Sequence, residues 1–241
     1  LHDEAIIEAK DRLAMVNKSF TSIGLITGHP DLWHSAFPQA KLINDTETLE
    51  LVPNTFDLVI HAMTLHWSND PLGQMIQCNR ALCPDGLFLG IMMGGETLIE
   101  LRSAFAHAEA KITGGLSPRV LPMADIRDIG HLLQRAGFAM PVVDSLLLPV
   151  SYQTPLSLMR DLRDMGEANA QTARRKHFTA RSLIDETIKE YSQNYTKTDA
   201  RVGATFEQFW LAGWAPSESQ AKPLRPGSAT MHLSDALNVV K

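Results

Sequence analysis

The chain has 241 residues, 44% of them hydrophobic and 20% charged, which is ordinary globular usage and enough to bury one large core. Its 22 basic and 27 acidic residues leave a net charge of −5, offering no broad positive surface for the counterion release that nucleic-acid binding requires. The two cysteines, Cys78 and Cys83, exclude a disulfide scaffold and a four-cysteine zinc site; with no apolar run long enough to span a membrane and no signal pattern at the start, a cytoplasmic, bacterial-type protein is expected.

Ile6, Ile7, Leu13, Ala14 and Val16 recur at near-helical spacing, which predicts a helix over residues 3–18 within an N-terminal region of 1–20. Residues 22–27 read as a strand broken by Gly28-His29-Pro30, because proline donates no amide inside a helix but suits its first turn. A second strand is expected over 40–44, ending at Asp45, and a third at Phe56-Asp57-Leu58-Val59-Ile60, a continuous apolar run of the kind buried in parallel sheets. Pro71 opens a helix reaching about Leu82, and Cys83-Pro84-Asp85-Gly86 supplies turn chemistry before a strand over 87–92. Gly94-Gly95 leads into a helix over 96–111 with Leu98, Leu101, Phe105 and Ala108 on one face. Further helices are expected at 124–136, stopped by Gly137, at 155–166 and at 179–194, with strands at 142–150 and 204–214. The alternation predicts a single α/β domain over 1–241, a Rossmann-like doubly wound sheet, with 215–241 as a loop-like C-terminal extension.

In such sheets ligands bind beyond the carboxyl ends of the strands, so the residues just after each strand are the candidates. Gly28 either lets backbone approach a ligand or forms a plain tight turn. Asp45 either accepts hydrogen bonds from a ribose or an adenine amino group, or caps a turn. His61, Ala62 and Met63, then Leu65-His66-Trp67, bring an imidazole and a large ring to the rim; histidine suits proton transfer near neutral pH, and Trp67 either covers a ligand or packs. Gly94-Gly95-Glu96-Thr97 sets flexible backbone and a helix start beside the same cleft, or lets strand and helix pack closely. No Ser-His-Asp order, metal-ligand histidine pair or phosphate-cradling lysine loop stands out, and the nine histidines are scattered, so no metal centre is expected.

Phe56-Asp57-Leu58-Val59, Leu65-His66-Trp67 with Asn69-Asp70, Arg80-Ala81-Leu82 before Pro84-Asp85-Gly86, and Gly94-Gly95-Glu96-Thr97 with Glu100-Leu101-Arg102 together resemble class I methyltransferases that use S-adenosylmethionine (SAM), of the methyltransferase type 11 and malonyl-carrier-protein types. A narrower resemblance, to bacterial relatives of a mitochondrial complex I assembly factor with a methyltransferase fold, is carried by Gly114-Gly115-Leu116-Ser117-Pro118, Gly130-His131-Leu132-Leu133, Arg135-Ala136-Gly137-Phe138 and Met159-Arg160-Asp161-Leu162. The tail from Gly213-Trp214 through Glu218-Ser219-Gln220 to Lys222-Pro223 and Arg225-Pro226-Gly227-Ser228-Ala229 follows the same pattern, and the likeness covers about residues 20–237.

The resemblance implies a seven-stranded sheet with SAM lying across the ends of the first strands, held by Gly28, His29, Asp45, Ala62, Leu65, His66 and Trp67. His66 would orient the acceptor or remove its proton, while Gly95, Glu96, Arg102, Lys222 and Arg225 would face substrate or partner. The chain departs from the family pattern at its front. The segment Leu25-Ile26-Thr27-Gly28-His29-Pro30-Asp31 keeps one glycine and no preceding acid, and 26 residues between Pro30 and Asp57 are too few for the usual helix, strand, helix and strand. Asp45 matches the family's adenine-side acid, which leaves the ribose acid without a counterpart. The implied activity is SAM-dependent methyl transfer to a small-molecule or protein acceptor, with a respiratory complex subunit as the implied partner. Two other readings stand beside it: a non-catalytic assembly scaffold that has kept the fold, and a SAM-using protein arginine hydroxylase, the activity credited to the mitochondrial relative.

Overall fold

In a computed structural model, described for residues 1–220 with Gly227, Ser228 and His232, the chain forms a six-stranded sheet flanked by helices on both faces. The elements in order are α1 (His2–Met15), β1 (Ile23–Thr27), α2 (Pro30–Ala36), β2 (Lys41–Ile43), β3 (Phe56–Ala62), a single 3-10 turn (Leu65–Trp67) and α3 (Pro71–Ala81). They are followed by β4 (Leu82–Met93), α4 (Ile99–Thr113), α5 (Ile126–Arg135), β5 (Ala139–Tyr152), α6 (Pro155–Asp164), α7 (Arg181–Tyr195) and β6 (Val202–Trp214). The strand order is β2-β1-β3-β4-β6-β5.

β1 to β4 run parallel, and β6 inserts antiparallel between β4 and β5. The expected α/β Rossmann-like architecture is present, with six described strands where the family pattern implied seven. The physical reason lies in the shortened front: β2 pairs directly with β1, Ile26 opposite Ile43, and residues 44–55 alone join it to β3, too short a segment for a further helix and strand.

The alternation of side chains along each central strand sorts the core into two layers. Leu25, Leu58, Ile60, Leu89 and Ile91 join α1, α4, α6 and α7 through residues such as Ala5, Leu101, Leu158 and Tyr191. Ile26, Val59, Phe88 and Met92 join α3 and α5 through Met75, Cys78, Ile129 and Leu133. Because both faces are covered, β1 is buried at every residue, as a continuous apolar run in a parallel sheet requires.

Several boundaries move for identifiable reasons. α4 starts at Ile99 rather than at 96, because Gly94 and Leu98 donate their amides to Glu207 O and Thr205 O and hold the chain along β6 before it turns; Leu98 takes the left-handed conformation (φ 56°) at the turn. Cys83-Pro84-Asp85-Gly86 lies within β4 as an irregularity, the pairing with β3 shifting from Phe56–Leu82 to Leu58–Leu87. β5 extends to Ala139–Tyr152 because its antiparallel neighbour β6 is equally long.

Candidate functional site at the strand ends

Register places the carboxyl ends of three strands together: Thr27 lies opposite Ala62, and Ile26 opposite Ile43. The backbone leaving them, Gly28-His29, Asn44-Asp45 and Met63-Thr64-Leu65, therefore emerges along one edge. Gly28, His29, Asn44 and Asp45 are exposed there. A Cβ on Gly28 would meet only Thr64 Cγ2, at 3.3 Å, so the glycine keeps the first two turns in close approach. The first turn satisfies itself: the His29 amide donates to Thr27 Oγ1 (3.1 Å), and α2 begins at Pro30, which has no amide to give. The His29 ring faces the His2 ring at 4.3 Å, and Trp33 Nε1 donates to His2 Nδ1 (3.0 Å). Burial and the neighbouring His29 lower the His2 pKa to about 4, consistent with an accepting, neutral ring.

The strand end expected at Ile60 continues to Ala62, which changes the standing of the residues behind it. Ala62 is fully buried between its neighbours, and Leu65 is buried in the layer beneath α3. Neither offers a side chain to a ligand, so a part in the expected cofactor site would fall to their backbone. His61 is enclosed as well: it shares hydrogen bonds with Gln74 Oε1 (2.8 Å) and Thr64 Oγ1 (3.3 Å), while Gln74 Nε2 donates to Thr46 O (3.1 Å). Burial pushes the His61 pKa down despite the Gln74 bond, so the ring is a neutral tie between β3, α3 and the loop carrying Asp45.

His66 and Trp67 meet Glu167, a residue that sequence reading did not single out. The His66 side chain is 1% exposed, its Nε2 lies 3.6 Å from Glu167 Oε1 without a hydrogen bond, and Trp67 Nε1 donates to the same oxygen at 3.3 Å. Burial raises the Glu167 pKa, but the His66 and Trp67 side chains outweigh it and hold the carboxyl below the usual value. Trp67 and Glu167 close one wall of a cavity of about 100 Å³ whose other walls include Met93, Leu98, Leu101 and Phe105. Arg119, Thr97 and Asn169 line it too, but Arg119 is paired with Glu109, so Glu167 is the carboxylate that a cationic group in the hollow would meet.

Four of the remaining candidates, Gly94-Gly95-Glu96-Thr97, lie between the end of β4 and α4. Gly94 is required by packing, since a Cβ would stand 2.5 Å from Phe209 Cε1. Gly95 is half-buried and Glu96 exposed, the Glu96 amide donating to Glu207 Oε2 (2.8 Å). Arg102 donates Nη2 to Thr97 O and Leu121 O (3.3 Å each) and so staples α4 to the loop before α5. Lys222 and Arg225 lie outside the described residues. The Gly114-Gly115-Leu116-Ser117-Pro118 run is latched by Glu109, fully buried on α4, which accepts from the Ser117 amide (2.6 Å), the Ser117 hydroxyl and Arg119 Nε (2.8 Å). Burial works upward on the Glu109 pKa and these donors more strongly downward, leaving it lowered. The available signal was its spacing: Leu101, Phe105 and Glu109 fall at four-residue steps on one helix face, where an acid needs a buried partner. Among the described residues, no group of three or more His, Cys, Asp or Glu side chains is placed to hold a metal ion.

Residues 15–90 match the methyltransferase domain family profile. The arginine-hydroxylase NDUFAF5 of Danio rerio, a mitochondrial protein, is 40% identical over 207 residues, covering 86% of this chain and 64% of that protein. The malonyl-[acyl-carrier protein] O-methyltransferase of Nitrosospira multiformis is 34% identical over 173 residues, covering 72% of this chain and 54% of its own. The chain thus spans less than two thirds of the length of these relatives. A solved structure from Bacillus halodurans C-125, described as a candidate methyltransferase, superposes with a TM-score of 0.54 at 13% identity over 88% of this chain and 99% of its own, a likeness of fold.

Proposed function

Because the chain belongs to the class I methyltransferase family, with NDUFAF5 proteins and malonyl-carrier-protein methyltransferases among its relatives, we propose that it is a SAM-dependent enzyme of the complex I assembly-factor branch. The observation that carries this reading is the exposed acid just beyond the end of β2, the strand paired with β1. In a doubly wound sheet the acid ending the strand beside β1 is the one that bonds a ribose. Asp45 occupies that position once β2 zips onto β1, although its sequence context matched the adenine-side acid.

The two ends of the site fit SAM unequally. Asp45 and Asn44 are free to accept and donate at an adenosine edge. At the methionine end the Thr27 hydroxyl already takes the His29 amide, and the seven-residue α2 leaves few free amides for a carboxylate. The cofactor, when bound, supplies an electrophilic methyl group. Acting on the acceptor side, Glu167 would hold a cationic acceptor in the cavity, an arginine side chain of a protein in keeping with the name of the relatives, while Trp67 excludes water. His66, which lies beside Glu167 and does not line the cavity, would act through Glu167 rather than by touching the acceptor.

The self-satisfied first turn favours a second reading, an assembly scaffold that has kept the fold without turnover. Titration with SAM, S-adenosylhomocysteine and adenosine separates the two. The enzyme reading expects micromolar binding of SAM, weakened about 10- to 100-fold in Asp45→Asn through loss of one charge-assisted hydrogen bond. No binding up to millimolar ligand would retire the enzyme reading and direct work to partner capture, a respiratory complex subunit being the first candidate and the bacterial cytoplasm the proposed setting.

A further inference from the structure

We propose that the loop between α6 and α7 docks this protein on anionic phospholipid surfaces. Between Glu167 and Asp185 the sequence holds Arg174, Arg175, Lys176 and Arg181 and no acid, in a chain whose net charge is −5. Residues 172–178 are all exposed, and Phe178 is 104% exposed, so a large apolar ring stands fully in water at the end of a run of three cations. Arg181 approaches Asp185 at 4.0 Å, whereas Arg174, Arg175 and Lys176 form no ion pair within that distance among the described residues.

The loop is presented from a fixed base. Asn169 Nδ2 donates to Pro118 O (2.7 Å) at one foot, and Arg119 Nη1 donates to Thr179 Oγ1 (2.8 Å) at the other. Within it, Arg174 Nη1 donates to Gln171 O (2.9 Å), which leaves the rest of its guanidinium outward. The hollow at the tip is lined by residues 174–178 alone, so a bound peptide would find no second wall. Cations that attract phosphate groups, beside one exposed aromatic ring that can enter the headgroup boundary, match an interfacial lipid contact. Nucleic acid offers the same phosphate chemistry, but three cations on one short loop cover few of the phosphate contacts its binding needs, whereas at a membrane the exposed ring adds apolar burial.

The test is co-sedimentation of the whole chain with vesicles of neutral phosphatidylcholine and with vesicles carrying about 30% phosphatidylglycerol. The chain is expected on the anionic vesicles at submillimolar accessible lipid, to leave them as salt is raised, and to ignore the neutral ones. A triple Arg174→Gln, Arg175→Gln, Lys176→Gln variant should bind about 100-fold more weakly, near fivefold per cation, and Phe178→Ser about tenfold. Since all four side chains are exposed, the variants should melt with the wild type, and the salt dependence of the unaltered chain tests the charge argument without any substitution. Equal binding to both vesicle types, no binding to anionic vesicles at millimolar lipid, or unaltered binding by the variants would overturn the proposal. So would capture of a polyglutamate peptide or a single-stranded oligonucleotide by the loop in place of vesicles.

Discussion

Replacing Glu109 by alanine tests how the 114–120 segment is held against α4. The carboxylate is fully buried and accepts three hydrogen bonds from Ser117 and Arg119. Its loss leaves the Ser117 amide without that partner and strands the Arg119 guanidinium, whose side chain is 16% exposed and otherwise meets Thr179 and the Phe105 ring. Removing one partner of a buried pair costs about 3–5 kcal/mol. Arg119 retains some solvent and two other contacts, so we expect about 3 kcal/mol for Glu109→Ala and about half of that for Glu109→Gln, which keeps the shape but not the charge. For a domain of this size that corresponds to a fall of about 6–12 °C in melting temperature for the alanine variant. Urea titration followed by far-UV circular dichroism measures it. The pH dependence adds a second check: a carboxyl held below its ordinary pKa contributes stability that is present above the unfolded value and is lost as pH falls through the folded value. The gap between the wild type and Glu109→Gln should therefore narrow below about pH 4. A loss under about 1 kcal/mol in Glu109→Ala would refute the latch.

Other substitutions probe the remaining parts of the frame. Gly94→Ala should cost about 1–3 kcal/mol, because its Cβ would press on Phe209 and Glu207; a midpoint equal to wild type in urea would show that β6 yields freely. Glu167→Ala should free the α6–α7 loop from Trp67, so limited trypsin digestion at Arg174, Arg175 or Lys176 should accelerate severalfold, and unchanged cleavage would count against the contact. Thiol labelling of the folded chain should modify Cys83 and spare Cys78, whose thiol burial pushes far above its ordinary pKa, until denaturant is added. Because burial lowers the His61 pKa, the unfolded chain takes up a proton there before the folded one. Stability should fall as pH drops below about 6.5, with a shallower slope in His61→Gln.

The elements most legible in the sequence are those whose residues pack in one way only. The apolar run at Phe56-Asp57-Leu58-Val59-Ile60 lies in β3, and Pro71 opens α3 where its missing amide costs nothing, with Asp70 capping the Gly73 amide at 2.8 Å. Site residues were less legible. Ala62 and Leu65 follow an apolar run and looked like rim positions, but Ala62 is the last residue of the longer β3 and Leu65 packs from the 3-10 turn into the layer beneath α3, so both side chains are buried. Glu167 went unseen because its partners, His66 and Trp67, lie about a hundred positions earlier in the chain, and no local pattern reports a contact between a loop and a turn so far apart.

By itself the sequence determined the class of fold, the alternation of helices and strands and the family, since each depends on local periodicity, turn chemistry and runs of residues that survive without knowing their neighbours. Only the tertiary structure decided that β2 lies directly against β1 and leaves Asp45 exposed beyond its end, that His66 turns inward to Glu167, and that Phe178 stands in water beside three cations. Those outcomes rest on which strand edges pair and which surfaces remain uncovered, and pairing over long separations is set by the packing of the whole sheet rather than by any segment of the chain.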